Sequence, residues 1–238
     1  MAEAFDPEEP PFGTREAILA AAGLAAFIGL AAVMLSLPQT ASHLARTTEE
    51  FLPMSGIDSK VNAVLINFRA FDTQLEKAVL LVALVGLWGL SPRADWRSPS
   101  GNFITPGQPE PQLVFLLKLL VPLVLLMAFY LFWLGADEVG GAFQAGTIVG
   151  AVAILMVLGK VGPTPAHGSG ALRVAAGAGF LIFGAVGLAM NLLGRGFLDY
   201  PEAAAKPLIL LIEAGIALSV AVVLFLLAGG LPELEGER

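Results

Sequence analysis

Apolar residues run along this chain in long blocks separated by short polar stretches. The first block, Ala17 to Leu37, is bounded by Arg15 and Glu16 before it and Pro38 after it. A polar stretch from Gln39 to Lys60 follows, then the mixed segment VNAVLINFRAFDTQLEKAVLLVALVGLWGL, Val61 to Leu90. The uncharged end of that segment, Ala78 to Leu90, is too short to cross a bilayer alone. A second span requires the helix to extend back through Leu75 and to carry Glu76 and Lys77 to or inside the membrane boundary. Ser91 to Pro111 is rich in Pro, Gly, Ser and charge, which reads as a linker. Four further blocks follow: Leu113 to Leu134, Phe143 to Leu158, Leu172 to Leu193 and Leu208 to Leu227. A helix rising about 1.5 Å per residue needs about 20 residues to cross about 30 Å of hydrocarbon. The pattern therefore predicts an all-α integral membrane protein of about six transmembrane helices.

The first block could be a secretory signal. Against this, an acidic segment precedes it, its apolar stretch exceeds a signal core of about 7–15 residues, and no A-x-A site follows, so a retained helix is expected. The turn GADEVGGAFQAG, Gly135 to Gly146, is short and Gly-rich, which predicts a tight antiparallel hairpin between the third and fourth spans. With six spans, Arg15, Arg93, Arg97, Lys160 and Arg173 collect on one side, and Arg46, Lys60, Arg195 and Lys206 on the other. The positive-inside rule then leans toward both termini in the cytoplasm. No inverted internal repeat of the kind seen in many self-sufficient transporters is visible.

Composition agrees. Of 238 residues, 56% are hydrophobic and 14% charged, with mean hydropathy +0.79, whereas a soluble domain carries about 25% charged residues. The net charge of -7 comes mostly from the ends, through Glu3, Asp6, Glu8 and Glu9 and through Glu233, Glu235 and Glu237. Such acidic tails argue against a nucleic-acid partner. The absence of cysteine excludes disulfides, thiolate metal sites, iron–sulfur clusters and a cysteine nucleophile.

Ionisable groups inside a bilayer are costly, so each is a candidate for function. Glu213 lies six residues past Pro207, roughly 9 Å into the sixth span, among apolar neighbours. It reads either as a proton-exchanging carboxylate or as a packing contact near a helix end. Arg69, Asp72, Thr73 and Glu76 form a polar stripe if the helix is continuous, suited to an aqueous path, to a partner's charges or to a solvated boundary. Lys118, a turn into the third span, reads as a snorkelling side chain or as a counter-ion to a carboxylate. Asn191 and Ser219 suit helix packing. His43 and His167 fall in stretches read as loops, without carboxylates at ligand spacing, so no metal is assigned. The glycine-rich turn lacks GK[ST] and carries Asp137 and Glu138, which speaks against phosphate binding. No nucleophile with a base is arranged for catalysis, and no cofactor is called for.

Three segments together resemble one family. VNAVLINFRAFDTQLE, Val61 to Glu76, is similar to the VNVILVDFRGFDTLGE pattern at the C-terminal end of the large MrpA-type chain of Mrp-type cation/proton antiporters, found also in a small subunit of membrane-bound hydrogenases. GADEVGGAFQAG resembles the GHNEPGGGFIGG signature of the MrpB-type chain of those antiporters, and IEAGIALSV, Ile212 to Val220, resembles EIGVGLTV in the last helix of that same chain. Arg69, Phe71, Asp72, Thr73 and Glu76 match the first motif. Gly135, Glu138, Gly140, Gly141, Phe143 and Gly146 match the second, and Glu213, Gly215 and Val220 the third. Ala70 and Leu75 replace glycines, while Ala136, Asp137, Val139 and Ala142 replace His, Asn, Pro and Gly.

The resemblance implies a two-helix part, residues 1–90, like the end of an MrpA-type chain, a linker, 91–111, and a four-helix part, 112–238, like an MrpB-type chain. It also implies a non-catalytic subunit of a complex exchanging protons for sodium or another monovalent cation, with Glu76 and Glu213 along or beside the ion route. Large antiporter-like subunits would be separate partner chains. A membrane-arm role in a redox-driven ion pump, and a scaffold role without ion contact, remain alternatives.

Overall fold

The computed structural model of the protein describes residues 14–36, 42–90, 96–103 and 107–232. The acidic ends, Leu37, Pro38 and linker residues 91–95 and 104–106 lie outside the described residues. The described elements are α1 (Thr14–Ser36), α2 (Ser42–Phe51), α3 (Lys60–Ala63), a π-helical turn (Val64–Phe68), α4 (Ala70–Gly89), α5 (Pro111–Leu134), α6 (Ala142–Leu158), α7 (Gly170–Leu192) and α8 (Ala205–Gly229). Short 3-10 turns occupy Leu52–Ser55, Gly101–Phe103 and Glu202–Ala204. Position 43 falls inside α2, a correction to the loop expected for His43. The chain divides into two compact units, Met1–Arg46 and Thr47–Arg238. In the first unit α1 is a 23-residue apolar helix.

In the second unit three helices are long and apolar enough to cross a membrane on their own: Pro111–Leu134, Gly170–Leu192 and Glu202–Gly229. The 20 residues of α4 reach about 30 Å at 1.5 Å per residue, so the helix does extend back through Leu75 and carries Asp72, Glu76 and Lys77 with it. Pro111 starts α5 at a position where its fixed φ suits the first turn and its missing N–H costs nothing. The outer face of α5 exposes Phe115, Leu126 and Phe129 at 60–70%, which in water would be an adhesive surface and in hydrocarbon is the matched one. With α1 and α6 completing the set, the protein is an all-α membrane protein of about six transmembrane helices, and no strand forms among the described residues.

α8 is the central helix. More than half of its most apolar stretch is buried (56%), against 11% for α5, and it packs along both α6 and α7, with α5 on α6 and α4 against α8 and α7. Small residues set these approaches. A Cβ at Gly146 would lie 2.5 Å from the Ala217 carbonyl oxygen and one at Gly150 would lie 3.0 Å from that of Ala221, so α6 presents G-x-x-x-G to A-x-x-x-A on α8. On the other side, a Cβ at Gly179 of α7 would meet Ile216 Cα and Ser219 Cβ at 3.0 Å. Ser219 donates to the Ala176 carbonyl, satisfying its hydroxyl inside the apolar contact.

Residues 96–103 of the expected linker are fastened to the bundle by a buried histidine. Trp88 Nε1 donates to His167 Nε2 at 2.8 Å, and Ser100 Oγ lies 2.7 Å from His167 Nδ1. Indole can only donate, so Nε2 is the acceptor and the ring proton sits on Nδ1, donating to Ser100. Backbone bonds from His167 N to Ser98 O and from Gly168 N to Trp96 O complete the latch. The Arg173 guanidinium lies over the rings of Trp88 and Trp96, 5.2 and 5.6 Å from their centroids. Burial, and secondarily the Arg173 charge, hold the His167 imidazole below its usual range.

Gly146→Leu is expected to lower unfolding stability by about 1–3 kcal/mol, the usual cost of overpacking. Gly86→Ala, where the added Cβ would meet no atom of the described residues within 4 Å beyond its own helix, is expected to be neutral or stabilising by up to about 1 kcal/mol. Thermal unfolding in detergent reads both. For His167, the unfolded chain takes up a proton as pH falls through about 6.5 while the folded chain resists it, so stability is complete above that pH and declines below it. The decline should not exceed about 1.4 kcal/mol per pH unit, and His167→Asn should remove this part of the slope of unfolding stability against pH.

Candidate functional site

The site forms where α3, α4, α6 and α8 meet, and its geometry begins with a local break. Ser59 caps α3 by accepting from Asn62 N at 3.3 Å. The following turn closes over five residues, with Arg69 N donating to Val64 O at 2.8 Å, a π-type insertion of the kind that often marks functional positions. Carbonyls around it find side-chain donors: Asn67 Nδ2 reaches Ser55 O at 3.2 Å and the Tyr200 hydroxyl reaches Ile66 O at 3.4 Å. α4 then restarts in its own phase. Ala70, Thr73, Lys77 and Leu84 face inward, while Phe71, Asp72, Leu75, Glu76 and Val79 face outward, the three-and-four spacing of a helix with one buried side.

The hairpin motif supplies the opposite wall. Asn62 Nδ2 donates to Gly135 O at 3.1 Å, Ser59 N to Ala136 O at 3.1 Å, and Ser59 Oγ to Glu138 O at 2.9 Å. Lys206, at the start of α8, pairs with Asp137 at 2.6 Å. A Cβ at Gly135 would fall 2.6 Å from Gly141 Cα, and Gly141 has φ +129°, a conformation open to glycine. The motif glycines thus fold the turn onto itself and aim the N-terminus of α6 into the bundle.

Glu213 lies opposite that N-terminus and is 2% exposed. A Cβ at Gly141 would lie 3.3 Å from Glu213 Oε1, so the carboxylate faces the positive end of the α6 dipole, which favours it, and Asn62 lines the same space. Among the described residues, Glu213 Oε2 has no hydrogen-bond partner. Lys77, 1% exposed, points into the same region with its ammonium 4.0 Å from the Phe143 ring centroid and 3.8 Å from Glu76 Oε2, and with no hydrogen-bond partner among the described residues. Between them lies a cavity of about 80 Å³ lined by Asn62, Thr73, Glu76, Lys77, Gln144 and Glu213, among others. A polar space of that size accommodates water, which needs roughly 10–15 Å³.

The structure brings Glu76, Glu213, Gly140, Gly141 and Phe143 together around the cavity. Glu76 sits at its lip, its side chain 57% exposed, and also lines an open groove of about 720 Å³ with Leu65, Asp72, Leu75, Val79, Leu80 and Phe143. Arg69 and Asp72 pair with each other at 2.5 Å on the outer face. Lys118 is exposed on α5, away from the cavity. Glu138 is exposed in the hairpin, contributing its carbonyl to Ser59. The sequence does not single out Asn62, and it places Lys77 only at or inside the membrane boundary. The signal for Lys77 was its helical spacing from Ala70, Thr73 and Leu84, whereas no sequence signal marks Asn62.

Residues 113–232 match the sequence family described as a domain related to the MnhB subunit of Na+/H+ antiporter. No curated protein sequence matches the chain. Among solved structures, the fold is similar to a chain of the Mrp complex from Dietzia sp. DQ12-45-1b, with TM-score 0.60 and 22% identity over 95% of this chain and 27% of that one. The present chain therefore spans about a quarter of that relative's length. It is also similar to a chain of the membrane-bound sulfane sulfur reductase, an archaeal respiratory membrane complex, with TM-score 0.60 and 20% identity over 91% of this chain and 97% of that one. The family match covers half of the chain and includes the glycine hairpin and Glu213, and on that ground this membrane protein belongs to the family of domains related to the MnhB subunit of Na+/H+ antiporters.

Proposed function

We propose that this chain is a non-catalytic subunit of a multisubunit antiporter that exchanges protons for Na+ or another monovalent cation, and that it lends one wall of the ion route. The observation that carries the reading is the passage from the outer face of α4 to the interior: Asp72 and Glu76 line the open groove, Glu76 reaches the cavity lip, and Lys77 and Glu213 are buried behind it. Charges at such depth are costly unless they serve transport or meet a partner's charges. The exposed carboxylate of Glu76 within an apolar face is where a neighbouring membrane subunit would complete the route, with large antiporter-like subunits supplying the driving machinery. In this reading residues 1–90 play the part of an MrpA-type end and 112–238 that of an MrpB-type chain, in the inner (plasma) membrane with both termini cytoplasmic.

A second reading, a membrane-arm subunit of a redox-driven ion pump, is favoured by the likeness to nearly the whole of a chain in the sulfane sulfur reductase complex. Gentle purification from the native membrane with mass spectrometry of the co-purifying chains separates the two: antiporter-like subunits alone support the first reading, and redox subunits support the second.

In everted vesicles, Glu76→Gln and Glu213→Gln are expected to slow cation-dependent proton exchange at least about tenfold, equivalent to about 1.4 kcal/mol in the barrier. Lys118→Gln should leave the rate unchanged. Normal exchange in both carboxylate variants with intact assembly would reduce this chain to a scaffold.

A further inference from the structure

We infer that Lys77 is a tethered cation that keeps Na+ out of the cavity, so that the species exchanged at Glu213 is a proton. The inference deepens the ion-route reading and rests on it for physiological meaning, but the ligand preference is a property of the cavity itself.

Glu213 faces the N-terminal end of α6, which adds a positive field, and the Asn62 side chain lines the cavity beside it. A proton needs one lone pair, and among the described residues no hydrogen bond occupies those of Glu213 Oε2. A sodium ion needs several oxygens to replace its water shell, as in carbonyl-lined filters. Thr73, Gln144 and Glu76 do bring oxygens to the lining, so the decision falls to charge.

Lys77 settles that balance. Its ammonium is within the same cavity of about 80 Å³, held over the Phe143 ring at 4.0 Å, where a cation is attracted to the π face. It also stands 3.8 Å from Glu76. A second monovalent cation entering this volume would meet a like charge that cannot diffuse away, in surroundings where charges are poorly screened. The titratable side chains lining the cavity with Glu213 are Lys77 and Glu76 of α4, while α3 and α6 bring Asn62, Gln144 and backbone. A proton arriving on a cavity water forms one O–H bond to a Glu213 carboxylate oxygen. It leaves when that bond breaks to the same water, and Lys77 keeps its N–H bonds throughout.

Infrared difference spectroscopy of the purified complex in native lipid tests the assignment, because it reads the carboxylate directly. The Glu213 band is identified by its loss in Glu213→Gln, or by its displacement in Glu213→Asp if the first variant does not assemble. Stepping the pH at constant Na+ is expected to change this band in the wild type, and stepping Na+ at constant pH to leave it unchanged. Lys77→Met is expected to make the band respond to Na+, with affinity at least about tenfold above the wild type's. A wild-type Glu213 band that responds to Na+, one that is silent to pH, or a Lys77→Met variant as blind to Na+ as the wild type would each overturn the inference. None of these readings depends on whether the complex exchanges cations, so failure here is distinct from failure of the antiporter reading.

Discussion

Lipid tails are as apolar as leucine, so burying leucine against leucine gives membrane helices little reason to associate, and close backbone approach must supply the dispersion that holds them. In this chain that approach is made along α8, where glycines of α6 and α7 meet its alanines, its Gly215 and its serine at distances that leave no room for another carbon. The consequence reaches past packing. Because α8 is clasped on both sides, a carboxylate on its inner face is removed from lipid and placed before the start of α6, where donors await it. A looser bundle would leave Glu213 either facing hydrocarbon or swinging toward water.

The hairpin between α5 and α6 extends the same constraint. Its glycines allow the turn to fold against the end of α5, and Ser59 and Asn62 bind its carbonyls from the other half of the unit. One side chain therefore fastens the hairpin and also lines the cavity that holds Glu213. Structural and functional roles of a polar side chain are hard to separate inside a membrane, where every donor that is not spent on backbone is available for an ion.

Much of this was legible in the amino-acid sequence. The membrane spans follow from block lengths, and Glu213 stands out because nothing around it is polar. The glycine turn announces a hairpin through its composition. What could not be read was orientation within α4. Glu76 and Lys77 are adjacent in sequence, so only helical phase decides which one is buried, and that phase depends on the π turn upstream, whose sequence VLINF carries no glycine or proline to betray it. The sequence marks His167 only as a loop residue, because its partners, Trp88 and Ser100, lie 79 and 67 residues away in the chain. The part of the linker that it holds reads as loop by composition, yet Ser98 and Ser100 are buried.

The π turn makes chain length itself a determinant of chemistry. An α-helix turns about 100° per residue, and the wider turn at Val64–Phe68 takes up one extra residue without that rotation; the same change in length made between Ala70 and Thr73, with the helix unbroken, would rotate everything beyond it by that angle. The face now carrying Lys77 would turn away from Glu213, and a different set of side chains would enter the space between α6 and α8. In the evolution of such proteins, substitutions along α4 can adjust the site gradually, but a single insertion or deletion upstream would exchange its contents at once.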